Sequence, residues 1–179
     1  MKEQHNKTKT MRTTINTDHF YRLATQFADH ASAATSDLGI DVSAYPIDHI
    51  CYRVQTLPDY ERLKGFLQEQ GILLSEAIIN KRPIATVKLH IPIPHETGTI
   101  PCVELPSPKP ERPYPEGFEH VEYVVPSISA LAAQFPHLSL RREEYGPFNP
   151  TLSLRIDDFT VKFHERSLEY VIALEQQQV

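Results

Sequence analysis

Two stretches of this chain repeat one another, and that repetition limits the possible folds more than any single motif does. Ile47-Asp48-His49-Ile50-Cys51-Tyr52-Arg53-Val54 lies over Phe118-Glu119-His120-Val121-Glu122-Tyr123-Val124-Val125, with His, Tyr and Val in common. Two further pairs follow in the same order. Arg82 to Leu89 lies over Asn149 to Ile156, and Cys102-Val103-Glu104-Leu105 lies over Thr160-Val161-Lys162-Phe163. Three matches in one order indicate an internal duplication, so the fold must be buildable twice from one small unit.

The local pattern says what that unit is. Asp48 to Val54 alternates polar and apolar residues and reads as a strand. Thr56-Leu57-Pro58-Asp59 starts a helix, with proline in its first turn, and Tyr60, Leu63 and Leu67 form the apolar stripe. Leu73 to Ile79, Ile84 to Ile91 and Ile100 to Leu105 are strand-like. After residue 117 the order restarts. Glu119 to Val125 is a strand and Ser127 to Phe135 a helix; Leu138 to Arg142, Thr151 to Ile156 and Thr160 to His164 are strands. Ahead of both copies, Phe20, Leu23, Phe27, Ala31, Ala34 and Leu38 keep a helical rhythm, with Asn16 or Thr17 as cap and Gly39 as stop. Behind both, Ser167 caps a short helix. The expected fold is α+β: an N-terminal helix, then two βαβββ modules forming an eight-stranded curved mixed sheet around a cleft.

The 179 residues hold 15 prolines against 6 glycines. Eight of those prolines fall between Pro92 and Pro115, a stretch expected to be mostly loop or sheet edge because proline cannot donate to a ladder. The expected domain map is a disordered leader over residues 1–15 and one domain over 16–179. Within it, the N-terminal helix region takes 16–46, module one 47–105, the proline-rich connection 106–117 and module two 118–179.

Composition narrows the function classes. A net charge of −5 with no basic block speaks against nucleic acid as the main partner. No apolar run approaches the ~18 residues of a membrane span. The leader carries Lys2, Lys7, Lys9 and Arg12 without an apolar segment behind them, so it does not read as a signal peptide. Cys51 and Cys102 make no disulfide framework, and a reducing cytoplasm is expected.

Strand phase collects the chemistry. Side chains alternate between faces, so His49, Cys51 and Arg53 share one face, and His120 and Glu122 share the equivalent face of the second copy. Cys102 and Glu104, and then Thr160, Lys162 and His164, fall on that same side. Two histidines on equivalent strands plus a carboxylate on a third form a set able to hold one divalent ion, with Zn, Fe(II), Mn and Ni undistinguished. By the same facing rule Arg53, Lys88, His90 and Arg155 join Lys162 and His164 along the cleft. That cationic lining suggests a small anionic molecule.

These residues carry a resemblance. The paired modules resemble the vicinal oxygen chelate superfamily, which includes glyoxalases and extradiol dioxygenases. Within it, Asp48 to Val54, Glu104-Leu105-Pro106-Ser107-Pro108-Lys109-Pro110, Tyr114-Pro115-Glu116-Gly117 with Glu119-His120, and Val161-Lys162-Phe163-His164 are similar to the YecM family, over about Phe20 to Leu174. The resemblance implies metal ligands at His49, Glu104 and His120. It also implies a fourth ligand, usually a carboxylate, where this chain has Lys162. Either three protein ligands suffice, the favoured option, or His164 takes the fourth place. Lys162 and Glu122 are the candidate acid/base groups. The implied activity is a metal-dependent isomerisation, lyase reaction or dioxygenation of a small anionic, oxygen-chelating molecule. Two rivals stand beside it: a metal-free binding protein on the same scaffold, and an interaction module using the proline-rich segment as a polyproline dock.

Overall fold

The computed structural model describes residues 15–109, 114–144 and 148–177. Residues 1–14 of the leader and residues 110–113, in the proline-rich connection, lie outside that set. Among the described residues there are four helices and eight strands. In chain order these are α1 (Thr17–Asp37), β1 (Ile47–Arg53), α2 (Leu57–Gln70), β2 (Gly71–Ile79), β3 (Arg82–His95), β4 (Gly98–Pro106), β5 (Gly117–Val124), α3 (Ile128–Gln134), β6 (Arg141–Glu144), β7 (Pro150–Ile156), β8 (Phe159–His164) and α4 (Leu168–Gln176).

Each helix starts on the residue type that its free N–H groups require. Asn16, Thr56, Ser127 and Ser167 occupy the four N-caps, and each side chain accepts from a backbone N–H three residues on. Pro58 sits in the first turn of α2, where no amide hydrogen is needed. Gly71 ends α2 and opens β2 in extended conformation. Its lack of a side chain has a packing cause: a Cβ there would lie 2.2 Å from the Lys88 carbonyl oxygen.

The eight strands form one mixed sheet in the order β2-β3-β4-β1-β5-β8-β7-β6. The duplication is preserved to the residue. In module one β1 runs parallel to β4, with His49 beside Cys102 and Cys51 beside Glu104. In module two β5 runs parallel to β8, with His120 beside Thr160 and Glu122 beside Lys162. These are the pairs obtained by laying one copy over the other. The copies meet antiparallel at β1 and β5, which places both histidine strands at the centre of the sheet.

One face of the sheet carries the main core. α1 buries Phe20, Ala24, Ala28, Ala31 and Thr35 against it. Phe20 packs among Tyr52, Phe66 and Phe118, and Phe27 stacks on Phe118. The opposite face carries the cleft.

The structure corrects the proline reading only in part. Pro92 and Pro94 lie in β3 where it forms a sheet edge, within the expectation, whereas Pro101 and Pro106 lie in β4, an interior strand. For the first two the physical reason is local. β2 leaves β3 after Leu89, and the β3–β4 register breaks between Lys88 and Ile93. Beyond that point β3 is an edge strand, where proline's missing N–H costs little. The strand expected at Leu138 begins later, at Arg141.

Candidate functional site

The antiparallel seam of β1 and β5 contains two register shifts, and they build the site. Ile47 pairs with Tyr123 and His49 with Glu122, so Asp48 is an extra residue in β1. Cys51 pairs with His120 and Tyr52 with Phe118, so Glu119 is an extra residue in β5. A bulged residue escapes the strict alternation of a strand and re-aims its side chain. Asp48 and Glu119 are duplication mates, and each turns its carboxylate onto the histidine that follows it. His49 Nδ1 donates to Asp48 Oδ2 at 2.8 Å, and His120 Nδ1 donates to Glu119 Oε2 at 2.6 Å. With Nδ1 engaged in this way, Nε2 of each ring is directed inward as the available ligand atom.

The two Nε2 atoms meet the carboxylates of the cleft face. His49 Nε2 lies 3.4 Å from Glu122 Oε1. His120 Nε2 lies 3.2 Å from the same oxygen and 3.3 Å from Glu104 Oε2. One ligand atom each from His49, Glu104 and His120 falls within 4.8 Å of the other two. Lys162 stands at the fourth strand of module two, as the duplication requires. Its ammonium donates to Glu122 Oε1 at 2.9 Å and sits 3.5 Å from His120 Nε2.

These groups shift one another's protonation. Burial opposes charge on His49, but the Glu122 and Asp48 carboxylates outweigh it and raise its pKa to about 10. His120 is raised well above the usual imidazole range, against the pull of burial, by Cys51 and Glu104 with Lys162 opposing. Burial pushes Glu104 upward, but His120, His49 and Lys162 hold it down to about 2. Glu122 is lowered well below an ordinary carboxylate by Lys162 and His49 despite its burial. Without a metal, protons therefore sit on both imidazoles between ionised carboxylates. A bound cation would displace them, which is the usual coupling of metal and proton binding.

The cavity is about 330 Å³, and its lining includes His49, Arg53, Glu104, His120, Glu122 and Lys162. The remaining sequence candidates lie elsewhere. His164 is fully buried but does not line the cavity. It stands behind His49, with its Nε2 3.6 Å from Asp48 Oδ2 and its Nδ1 2.9 Å from the Asn149 amide nitrogen. Burial lowers its pKa, and with Asp48 and His49 it forms a second tight group of ligand-type atoms. Lys88 does not line the cavity; it is ion-paired with Glu169 at 2.7 Å. Arg155 is exposed and reaches Glu119 only at 3.5 Å. His90 is exposed at the break in the β3–β4 register, where the facing rule no longer holds. Cys51 and Cys102 are buried thiols whose pKa burial raises, to about 12 for Cys102.

Sequence reasoning missed Asp48, Glu119 and Arg82 as site residues. The signal for the first two was present: an acid precedes the histidine in both copies. Arg82 lines the cavity at the start of β3, held to the Ser107 carbonyl at 2.7 Å, and its Nε is a buried donor with no hydrogen-bond acceptor.

Comparison with known proteins identifies a family and a shared fold. The family described as YecM protein matches residues 16–144. Protein YecM of Escherichia coli K12 is 34% identical over 157 residues, covering 78% of this chain and 83% of that protein. A solved structure titled Protein EC4020 superposes with a TM-score of 0.71 at 32% identity, covering 89% of this chain and 90% of the other. No described helix is long and apolar enough to cross a membrane.

Proposed function

The chain belongs to the YecM family, and on that footing we propose that it binds one divalent metal ion and acts as a metal-dependent enzyme on a small anionic molecule that chelates through adjacent oxygens. The observation that carries the reading is the convergence of His49 Nε2, Glu104 and His120 Nε2, each imidazole oriented by its own bulged carboxylate. The donor set of two imidazoles and a carboxylate fits Fe(II), Zn, Mn or Ni. A metal held there supplies Lewis-acid chemistry, or oxygen activation if it is redox-active.

The chain's own groups do the rest. Asp48 and Glu119 hold the two rings in the tautomer that leaves Nε2 free. Glu122, ionised and central, is placed to receive a proton from a bound molecule, and Lys162 stabilises its charge. Arg53 and Arg82 line the same cavity and are the groups suited to an anion. The test is elemental analysis of the purified protein before and after reconstitution with each metal, alongside His49→Ala and Glu104→Ala. Stoichiometric metal in the native chain and its loss in both variants are expected. Content that stays low after reconstitution, and is unaffected by the substitutions, overturns the reading.

One observation favours a second reading. The Lys162 ammonium lies against both Glu122 and His120 and can neutralise the carboxylates without a metal. In that case the scaffold is a metal-free binding protein. Lys162→Ala separates the two: it leaves metal content intact or improved in the first and collapses ligand binding in the second.

A further inference from the structure

Three buried apolar side chains do not belong to the main core. Ile84 is 9% exposed, Val171 5% and Ile172 7%, yet none is part of the cluster packed between the sheet and α1. All three line the cavity. They are joined there by Leu168 on α4 and by Ala77 and Ile79 on β2.

The secondary structure explains why these residues meet. Leu168, Val171, Ile172 and Glu175 are spaced i, i+3, i+4 and i+7, a single stripe of a helix. Ser75, Ala77 and Ile79 alternate along β2 and share one face of that strand. α4, the last element of module two, crosses back to module one. Leu168 N donates to Asp48 Oδ2 at 2.8 Å, Glu169 pairs with Lys88, and the Gln176 amide donates to the Leu74 carbonyl at 3.2 Å. The stripe is thereby held facing the cavity, whose lining also includes His49, Glu104 and His120. The cavity lining thus joins a dense charge cluster to a patch of aliphatic carbon from Ile79, Ile84, Leu168, Val171 and Ile172, with Ser75 and Glu175 on the same two elements.

We infer that the molecule bound here carries an apolar substituent beside its oxygen-chelating anionic group, and that α4 and β2 read that substituent. A small, fully polar ligand such as a sugar phosphate would leave the half-buried Ile79 and Leu168 facing water or a polar surface. An alkyl or aryl group removes that contact. Each methylene buried against such a wall contributes ~0.8 kcal/mol, about a fourfold gain in affinity. The inference rests on the proposed site for its anionic end, but the apolar wall contains none of the proposed ligands and is testable without a metal.

The test uses the full chain loaded with zinc and a series of straight-chain 2-oxo acids, from pyruvate through 2-oxobutyrate and 2-oxohexanoate to 2-oxooctanoate. Calorimetry should show affinity rising about fourfold per methylene until the wall is covered. Val171→Thr replaces one methyl by a hydroxyl at nearly the same shape, and Ile79→Thr replaces the ethyl arm by a hydroxyl while keeping the β-branch. Each should cut the gain per methylene to twofold or less while leaving pyruvate affinity unchanged, with thermal melts confirming folding. Repeating the series with butanoate to octanoate on chelator-stripped protein separates the two proposals. If no metal binds but the length dependence persists and falls in the variants, the inference stands and the metal reading fails. If metal binds but affinity is flat or falls with length, or rises equally in wild type and both variants, the inference is overturned alone.

Discussion

Asp48→Asn is the most informative substitution, because it removes one charge and almost no volume. Asp48 Oδ2 accepts from His49 Nδ1 and from Leu168 N, both at 2.8 Å, and stands 3.6 Å from His164 Nε2. The residue is 5% exposed, so water does not replace what is lost. An asparagine oxygen can still accept from one of the donors, but its NH₂ then faces another. The stability cost is that of one buried charge-assisted hydrogen bond, about 1.5–3 kcal/mol. For a domain of this size each kcal/mol moves the melting temperature by about 2–4 °C, so a fall of about 3–12 °C is expected. The metal cost is separate. Losing the carboxylate behind a ligating imidazole should weaken zinc binding by about 10–100-fold. Differential scanning fluorimetry of stripped protein reads the first quantity, and competition against a fluorescent zinc chelator reads the second. If the variant melts lower but binds zinc within twofold of wild type, Asp48 anchors α4 and does not orient His49, and the account of the bulges fails. Glu119→Gln is the internal control. The duplication predicts the same loss of zinc affinity, acting through His120.

Other expectations follow from the same geometry. His49 has its pKa raised from 6.5 to about 10, so its stabilising interaction is complete below pH 6.5 and is lost as pH rises toward 10. The melting temperature of metal-stripped protein should fall over that window, and the fall should shrink in His49→Gln. Glu104 and Glu119 are both held down to about 2, so their contribution is present above pH 4.5 and is lost as pH drops toward 2. Acid titration followed by circular dichroism should show this; a melting temperature constant from pH 4.5 to 2.5 would contradict it. Gly71→Ala places a Cβ against the Lys88 carbonyl oxygen, backbone that cannot swing aside, and should cost about 1–3 kcal/mol or more in urea unfolding. Gly65→Ala, inside α2 with nothing within 4 Å, should instead stabilise by about 0.5–1 kcal/mol.

Much of the site was legible before the fold was known, for a specific reason. His49, Glu104, His120, Glu122 and Lys162 sit on unbroken stretches of parallel or antiparallel ladder, where alternation holds and the repeat supplies the offset. Lys88 and His90 were placed by the same rule and lie outside the cavity. At Lys88 the ammonium is drawn to Glu169 on α4, and at His90 the ladder is broken. The prolines show the same limit. Whether Pro92 and Pro94 can sit in a strand depends on whether a neighbour needs their missing N–H, which is not a local property.

The sequence by itself determined the duplication, the two βαβββ modules, the helix caps and the face shared by the two histidines. Each of these follows from short-range sterics, period or repetition. Only the tertiary structure decided that Asp48 and Glu119 turn onto His49 and His120, because a bulge exists only relative to the partner strand that is one residue short. It likewise decided that α4 folds back across β2. The i, i+3, i+4, i+7 stripe of Leu168, Val171, Ile172 and Glu175 announces an amphipathic helix, but its partner is chosen by contacts that span the length of the domain. Leu168 N reaches Asp48 across 120 residues of sequence, and in doing so it ties the apolar wall of the cavity to the orientation of His49.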